Sequence, residues 1–261
     1  IRETISIKLQ AALRYGMVLG LTPISPLYIV NEYPKSGGTW VGQMLSEAME
    51  LPFPRNCYPT LGTSFMHGHY LRPWVMDNVL VVWRDGRDMM VSWYYHTLFL
   101  HQTALNARLV NELRSRLKFN DYNDIQKNLP AFIEHCFTRY RPMNFSWPAF
   151  VDNWHDRKGV TFVRYEDLRS QGSLELQRIV KALSNRELCT QQADEIIDKF
   201  SFTKQAGRAP GEENKNSFLR KGIVGDWQNQ FTQEAREVFA RYAGESLVKL
   251  GYEQNHQWVY A

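Results

Sequence analysis

The chain has 261 residues, of which 44% are hydrophobic and 22% charged, and it carries a net charge of +4. That length holds one large α/β domain with a sizeable core, and the composition is ordinary for a soluble globular protein, which excludes a disordered or fibrous chain. The weak positive charge does not point to a nucleic-acid binder, but it fits a protein that concentrates cations in one anion site.

Residues 3–20 carry Ile7, Ala11, Leu13 and Val18 at helical spacing and predict a helix packed outside the core. Together with the linker Thr22 to Pro26 it forms an N-terminal helical extension over 1–26. Arg14, Pro23 and Pro26 interrupt the apolar run there, so no stretch reaches the length of a membrane span, and no signal peptide is evident. The first residue is Ile1 rather than Met, which leaves open a longer multidomain protein. Cys57, Cys136 and Cys189 are far apart, odd in number and without C-x-x-C spacing. They argue against a disulfide framework or zinc site and for a reducing, cytoplasmic setting, with the thiols as small buried or half-buried side chains.

Leu27-Tyr28-Ile29-Val30 reads as a buried strand, and Val41, Met44, Leu45 and Ala48 fall at helical spacing until Pro52 stops the pattern. Between them lies Tyr33-Pro34-Lys35-Ser36-Gly37-Gly38-Thr39-Trp40. The two glycines let the backbone turn sharply and bring its amides near a ligand. The helix start adds unpaired N–H groups and partial positive charge, which suits a phosphate, and Lys35 adds a full charge. A plain strand-to-helix turn with a surface lysine is the bland alternative. In the nucleoside-triphosphate loop G-x-x-x-x-G-K-[ST] the lysine follows the glycines, whereas here it precedes them. The order of residues resembles the 5′-phosphosulfate loop of sulfotransferases that use 3′-phosphoadenosine 5′-phosphosulfate (PAPS). That family usually has Thr where this chain has Gly38. The resemblance assigns Lys35, Ser36, Gly37, Gly38, Thr39 and Trp40 to the donor.

Pro52, Pro54 and Pro59 mark an irregular connection, after which Thr63 to Met66 leads into His67-Gly68-His69 as a short strand. Val79 to Trp83 is the strongest strand signal and runs into Arg84-Asp85-Gly86-Arg87-Asp88, then an aromatic-rich helix from Met89 to Leu100. Arg84 can grip a phosphate and Ser92 can add a neutral donor. Taken alone, the pair is better read as a solvated charged turn. In context the spacing resembles the family's 3′-phosphate site, Arg-x-x-x-Asp-x-x-x-Ser, with Asp88 in the middle. Residues 101–145 are polar and helical, and the resemblance makes 97–147 the variable helical region on the acceptor side.

Gly159 to Tyr165 gives another strand, and Tyr165-Glu166-Asp167-Leu168 resembles the family segment that follows it. Leu174, Ile179, Val180 and Leu183 give a helix, and Glu195 to Phe200 continues the helical character. Thr203 to Ser217 reads as a mobile loop. Arg220-Lys221-Gly222-Ile223-Val224-Gly225-Asp226-Trp227 resembles the family's Arg-Lys-Gly-x-x-Gly-Asp-Trp segment, which assigns Arg220, Lys221 and Gly222 to the 3′-phosphate. A basic surface turn is the alternative. Trp40, Tyr165 and Phe202 offer flat faces for the adenine, although each alone is more often core filler. Thr232 to Leu250 is a long amphipathic helix.

Alternating strands and helices imply a mostly parallel sheet covered on both faces, with the ligand beyond the carboxyl ends of the strands. Lys35, His69, Arg84 and Tyr165 all fall there, independently of any resemblance. The resemblance implies a three-layer α/β sandwich of the P-loop-like sulfotransferase type, a single domain over 1–261. It further implies transfer of a sulfuryl group from PAPS to a small-molecule hydroxyl, leaving 3′,5′-bisphosphoadenosine (PAP), without nucleic acid or metal. Lys35 neutralises the leaving phosphate. His69 is the base, and His67 stands where the family places a lysine. His67-x-His69 also reads as a zinc pair, but no third ligand is apparent nearby. Phe65, Tyr70, Trp74, Trp93 and Tyr94 hint at an apolar or ring-bearing acceptor and serve equally as core. A P-loop nucleotide kinase and a non-catalytic adenine-nucleotide module are the competing readings. The first lacks an Mg²⁺-binding carboxylate at a strand end; intact Lys35 and His69 argue against the second. The family's dimer segment, Lys-x-x-x-Thr-Val-x-x-x-Glu, here reads Gln228, Thr232, Gln233 and Glu237, so that dimer is expected to be weak or absent.

Overall fold

The computed structural model describes residues 27–55, 59, 62–72, 76–100, 104–139 and 144–261, with 9, 10, 12–14, 16–18 and 20 of the N-terminal segment, which are helical. Cys57, Trp74 and the linker Thr22 to Pro26 lie outside the described residues. Contacts divide the chain into two compact units, Ile1–Arg84 with Asp156–Ser201 and Asp85–His155 with Phe202–Ala261.

The first unit holds the sheet. Its strands are β1 (Leu27–Glu32), β2 (Ser64–Gly68), β3 (Val79–Trp83) and β4 (Thr161–Arg164), all parallel and ordered β2-β1-β3-β4. Every residue of β3 is buried, as its unbroken apolar sequence requires. Helix α1 (Gly38–Met49) follows β1. Val41, Met44 and Leu45 on one side of α1 meet Val30, Phe65, Leu80, Val82 and Val163 of the sheet in one core.

In the second unit, α2 (Gly86–Leu98) takes up most of the aromatic-rich helix expected from Met89 to Leu100, α3 (Ala104–Arg116) and α4 (Ile125–Thr138) divide the polar helical region 101–145, and α5 (Trp147–Trp154) follows it. Back in the first unit, α6 (Tyr165–Ser170), α7 (Gly172–Ser184) and α8 (Thr190–Lys199) follow β4, and Leu168, Ile179, Val180 and Ile196 from these three join the sheet core. The second unit ends with α9 (Phe202–Ala206), α10 (Trp227–Gln230), α11 (Gln233–Lys249) and a 3-10 turn at His256–Tyr260. Its core is aromatic. Phe239 of α11 lies against Trp147, Phe137 and Trp258 with ring centroids 6.0–6.4 Å apart. Gly86 opens α2 because a Cβ there would stand 2.7 Å from the Trp147 ring.

Several expectations change on folding. The loop predicted from Thr203 begins as a helix, α9, and its remainder hydrogen-bonds back, with Gly211 N–H donating to Lys221 O at 2.8 Å and Asn214 N–H to Arg220 O at 2.9 Å. Cys136 is buried, but Cys189 is exposed and caps α8, its Sγ accepting from Gln192 N–H. Phe65 and Tyr94 are fully buried, so both are core rather than acceptor-facing. The charged turn after β3 is not solvated, since Asp85, Arg87 and Asp88 are all buried. Arg87 binds Asp85 and Glu253 and lies 3.7 Å over the Trp227 ring.

Asp88 accepts hydrogen bonds from Gly225 N–H at 2.7 Å and Trp227 N–H at 2.9 Å. It therefore fastens the Arg220–Trp227 segment to α2. Asp88→Ala strands both amides and should lower unfolding free energy by about 3 kcal/mol, with Asp88→Asn milder because one acceptor oxygen survives. Urea titration checks this, and a loss under ~1 kcal/mol for Asp88→Ala would remove that role.

Candidate functional site

The first unit gathers one set of predicted residues at the carboxyl ends of its strands. In the register, Asn31 faces Gly68, Glu32 faces Val82, and Trp83 faces Arg164. The loop after β1, His69 after β2, Arg84 after β3 and Tyr165 after β4 thus leave one edge.

The loop is built on two left-handed residues. Lys35 has φ 75° and Gly37 has φ 102°. For a lysine this costs on the order of 1 kcal/mol, and Arg84 helps hold the turn by donating Nη1–H to the Lys35 carbonyl at 2.9 Å. Gly37 has no room for a side chain, because a Cβ would lie 2.7 Å from the Tyr165 ring. Tyr165 also lies under Arg84, 4.5 Å from its guanidinium, and edge-on to Trp40 at 5.6 Å. Trp40 is pinned by its indole N–H to Phe200 O at 2.7 Å. Lys35, Gly37, Trp40, Arg84 and Tyr165 are therefore one cluster. Helix α1 has no acidic residue in its first turn, which leaves its positive end uncompensated from within the helix.

Beside the loop stands a residue that the motif reading passed over. Glu32, the last of β1, is buried. Its Oε2 accepts the Gly38 N–H at 2.6 Å, its Oε1 meets His67 Nε2 at 2.8 Å, and its carbonyl accepts from His69 Nδ1 at 2.8 Å. The His67 and His69 rings stand edge to face at 5.0 Å, on one side of β2 as strand alternation requires. Asn31 orders the strand's exit, donating to Tyr70 O at 3.0 Å and accepting Tyr70 N–H at 2.7 Å. The only signal for Glu32 in the sequence was an acid at the end of an apolar strand, one residue before Tyr33.

These contacts set charge. Burial works to raise the Glu32 pKa, but the hydrogen bond and charge of His67, the charge of His69 and the Gly38 amide outweigh it and hold the carboxyl at about 2. Burial, aided by the neighbouring charge of His67, lowers His69 to about 4 against the opposing pull of Glu32. His69 is therefore neutral at physiological pH, and because Nδ1 donates to a carbonyl its lone pair is on Nε2. Glu32, His67 and His69 also bring ligand atoms within 4.8 Å of one another, a set able to hold a metal ion. The expectation that the histidine pair lacks a third ligand is thus corrected: the third group comes from the neighbouring strand.

The second unit gathers the other set. Ser92 is half-buried on α2. Arg220 and Lys221 both meet Asp226, at 2.5 and 2.7 Å, and Arg220 also pairs with Glu213 and lies 4.6 Å over the Tyr95 ring. Burial works to raise the Asp226 pKa, but hydrogen bonds from Lys221 and Arg220 hold it below the usual range. Gly222 has φ 66°, and a Cβ there would meet the buried Phe202 ring at 2.3 Å, so Phe202 packs on this segment.

The folded and unfolded chains take up the His69 proton near pH 4 and near its ordinary 6.5. The stability that neutral His69 contributes is full above pH 6.5 and is lost as pH falls from 6.5 through 4. The Glu32 window lies lower, full above its ordinary 4.5 and lost towards about 2. Melting temperature should fall less between pH 6.5 and 4 for His69→Gln than for the parent protein; parallel curves would contradict the burial of His69.

A family model described as the sulfotransferase domain matches residues 27–251. Sulfotransferase 1B1 of Canis lupus familiaris is 26% identical over 242 residues, covering 81% of this chain and 80% of that protein. Sulfotransferase 1E1 of Rattus norvegicus is 22% identical, covering 82% and 81%. The solved structure of mouse sulfotransferase SULT7A1 complexed with PAP has a TM-score of 0.63 at 18% identity, covering 89% of this chain and 88% of that one. Retinol dehydratase, solved with androsterone and PAP, has a TM-score of 0.53 at 16% identity, covering 90% and 85%. With the family model matched from the first residue of β1 to beyond α11, the chain belongs to the sulfotransferase family.

Proposed function

We propose that this sulfotransferase moves the sulfuryl group of PAPS to the hydroxyl of a small-molecule acceptor, with His69 as base and Lys35 at the leaving oxygen. The observation that carries the roles is His69 itself: neutral, and oriented by the Glu32 carbonyl, which takes the Nδ1–H and leaves the Nε2 lone pair open to a proton. His69 Nε2 takes the acceptor's proton while the acceptor oxygen bonds to sulfur. The bond from sulfur to the bridging oxygen breaks, and Lys35 neutralises the charge that develops on that oxygen as PAP leaves. A transferring sulfuryl group carries less negative charge than a phosphoryl group, so lysine and backbone amides suffice in this scheme without a metal.

Donor recognition divides along the chain. Ser36, Gly37, Gly38 and Thr39 offer loop amides and hydroxyls to the 5′-phosphosulfate, and Arg84, Ser92, Arg220, Lys221 and Gly222 serve the 3′-phosphate. Trp40 and Tyr165, already in edge contact, are the favoured adenine platform, with Phe202 the third candidate. Residues 97–147, containing α3 and α4, are assigned to the acceptor side of a single domain. An apolar, ring-bearing acceptor is supported by half-buried Tyr70 and Trp93 and by the retinol and androsterone complexes of retinol dehydratase. A cytoplasmic setting belongs to the same reading and rests on the free thiols Cys136 and Cys189. Among the described residues no helix is long and apolar enough to cross a membrane.

Transfer from labelled PAPS to a panel of alcohols and phenols tests the function. Lys35→Met should keep the fold and lose about 3–4 kcal/mol of transition-state stabilisation, a fall of two to three orders of magnitude in turnover. His69→Ala should abolish transfer and keep PAP affinity, while His67→Ala should only weaken it; the reverse order would exchange the two roles. Adenosine 5′-phosphosulfate, which lacks the 3′-phosphate, should be a far poorer donor, and equal use of both donors would remove the 3′-phosphate assignment.

A further inference from the structure

We propose that Glu32 is a positioning residue for sulfuryl transfer, and that position 38 is glycine because the Glu32 carboxylate fills the space a side chain would need there. The inference rests on the function proposed above and concerns a residue that touches neither donor nor acceptor in that scheme.

The geometry is specific. The side chain of Glu32 ties the first amide of α1 to His67, and its carbonyl holds His69. One buried residue therefore sets the relative placement of the anion loop and both histidines. A Cβ on Gly38 would lie 2.7 Å from Glu32 Cδ and 3.0 Å from Cγ and Oε1. The carboxylate cannot step aside without giving up its bonds to Gly38 and His67. Unlike Gly37, Gly38 does not have a positive φ, so its backbone admits any residue. The three atoms nearest to such a Cβ all belong to Glu32. Threonine at this position, as in the loop the sequence resembles, demands a different residue at 32.

The charge balance points the same way. Glu32 brings a buried negative charge to a loop that receives an anion. His67 Nε2 meets the carboxylate at 2.8 Å, and the Arg55 guanidinium, from the segment after α1, also interacts with it electrostatically. His67 thus acts through Glu32.

The test is a pair of double-substitution cycles on the whole chain, read by melting temperature, PAP affinity and steady-state kinetics. Gly38→Ala should lower PAP affinity about tenfold or more and reduce Tm, and adding Glu32→Ala should recover most of both losses. His67→Ala should slow transfer in the parent but have little further effect beside Glu32→Ala. Glu32→Gln should reduce kcat about tenfold or more while KM for PAPS stays within about threefold. Additive effects of Gly38→Ala and Glu32→Ala would overturn the packing claim. An unchanged kcat in Glu32→Gln would overturn the positioning role. Zinc bound stoichiometrically to the purified protein and lost in Glu32→Gln would also overturn it, since Glu32 would then be a metal ligand. A parent protein that binds no PAP and transfers nothing would sink the proposed function and the catalytic role with it. The Tm cycle would still decide whether Glu32 excludes a side chain at 38.

Discussion

Parallel pairing of β1 with β2 on one side and β3 on the other fixes where every functional residue of the first unit can stand. A parallel ladder sets the strand ends level, so each loop that follows a strand leaves the same edge. The chain then needs only a residue of the right chemistry just after each strand. Tyr33 to Trp40, His69, Arg84 and Tyr165 meet that requirement without being near one another in sequence. The energetic base is the apolar face shared by Val30, Leu80, Val82 and Val163 with α1, α7 and α8. Each such side chain contributes about 1.5–3 kcal/mol when fully buried, more than any single hydrogen bond at the edge. The core sets the register, and the register sets the site.

Buried acids then do at the edge what the apolar core does beneath it. Glu32, Asp88 and Asp226 are each almost inaccessible, and each binds backbone amides or cations on segments that have no regular partner. A buried carboxylate is a weak source of net stability, because desolvation offsets much of the attraction. Its value is selectivity of conformation: a misplaced Gly225 or Gly38 amide leaves an uncompensated charge, which costs several kcal/mol. In the function proposed, the loops that meet an anion need amides in fixed directions. Acids satisfy that need from behind, in unit one through Glu32 and in unit two through Asp88.

What the sequence disclosed divides along the same physical line. Strand β3 was legible because an uninterrupted apolar run has few other fates, and the turn before α1 because two glycines after a strand mark a sharp change of direction. Alternation along β2 placed His67 and His69 on one side, as found. The contribution of Glu32 was not legible, since its partners Gly38, His67 and His69 come from three separate elements and only pairing of β1 with β2 brings them together. Arg87 was hidden for a similar reason. An Arg between acids in a turn looks solvated until Trp227 and Trp258, far along the chain, cover it. Phe65 and Tyr94, left open by the sequence between acceptor side and core, are claimed by packing.

The two histidines show why pairing matters more than residue type. Both are imidazoles, one in β2 and one just past its end, two residues apart, yet their surroundings separate them. His69 donates to a carbonyl, a neutral acceptor that fixes the tautomer while burial disfavours charge. His67 faces the Glu32 carboxylate at 2.8 Å. In the scheme proposed, the base must be neutral before reaction. Positions 67 and 69 meet different surroundings because the end of β1 presents both a main-chain and a side-chain oxygen from the same residue. The difference between the two histidines therefore originates not in β2 but in the acid at the end of the neighbouring strand.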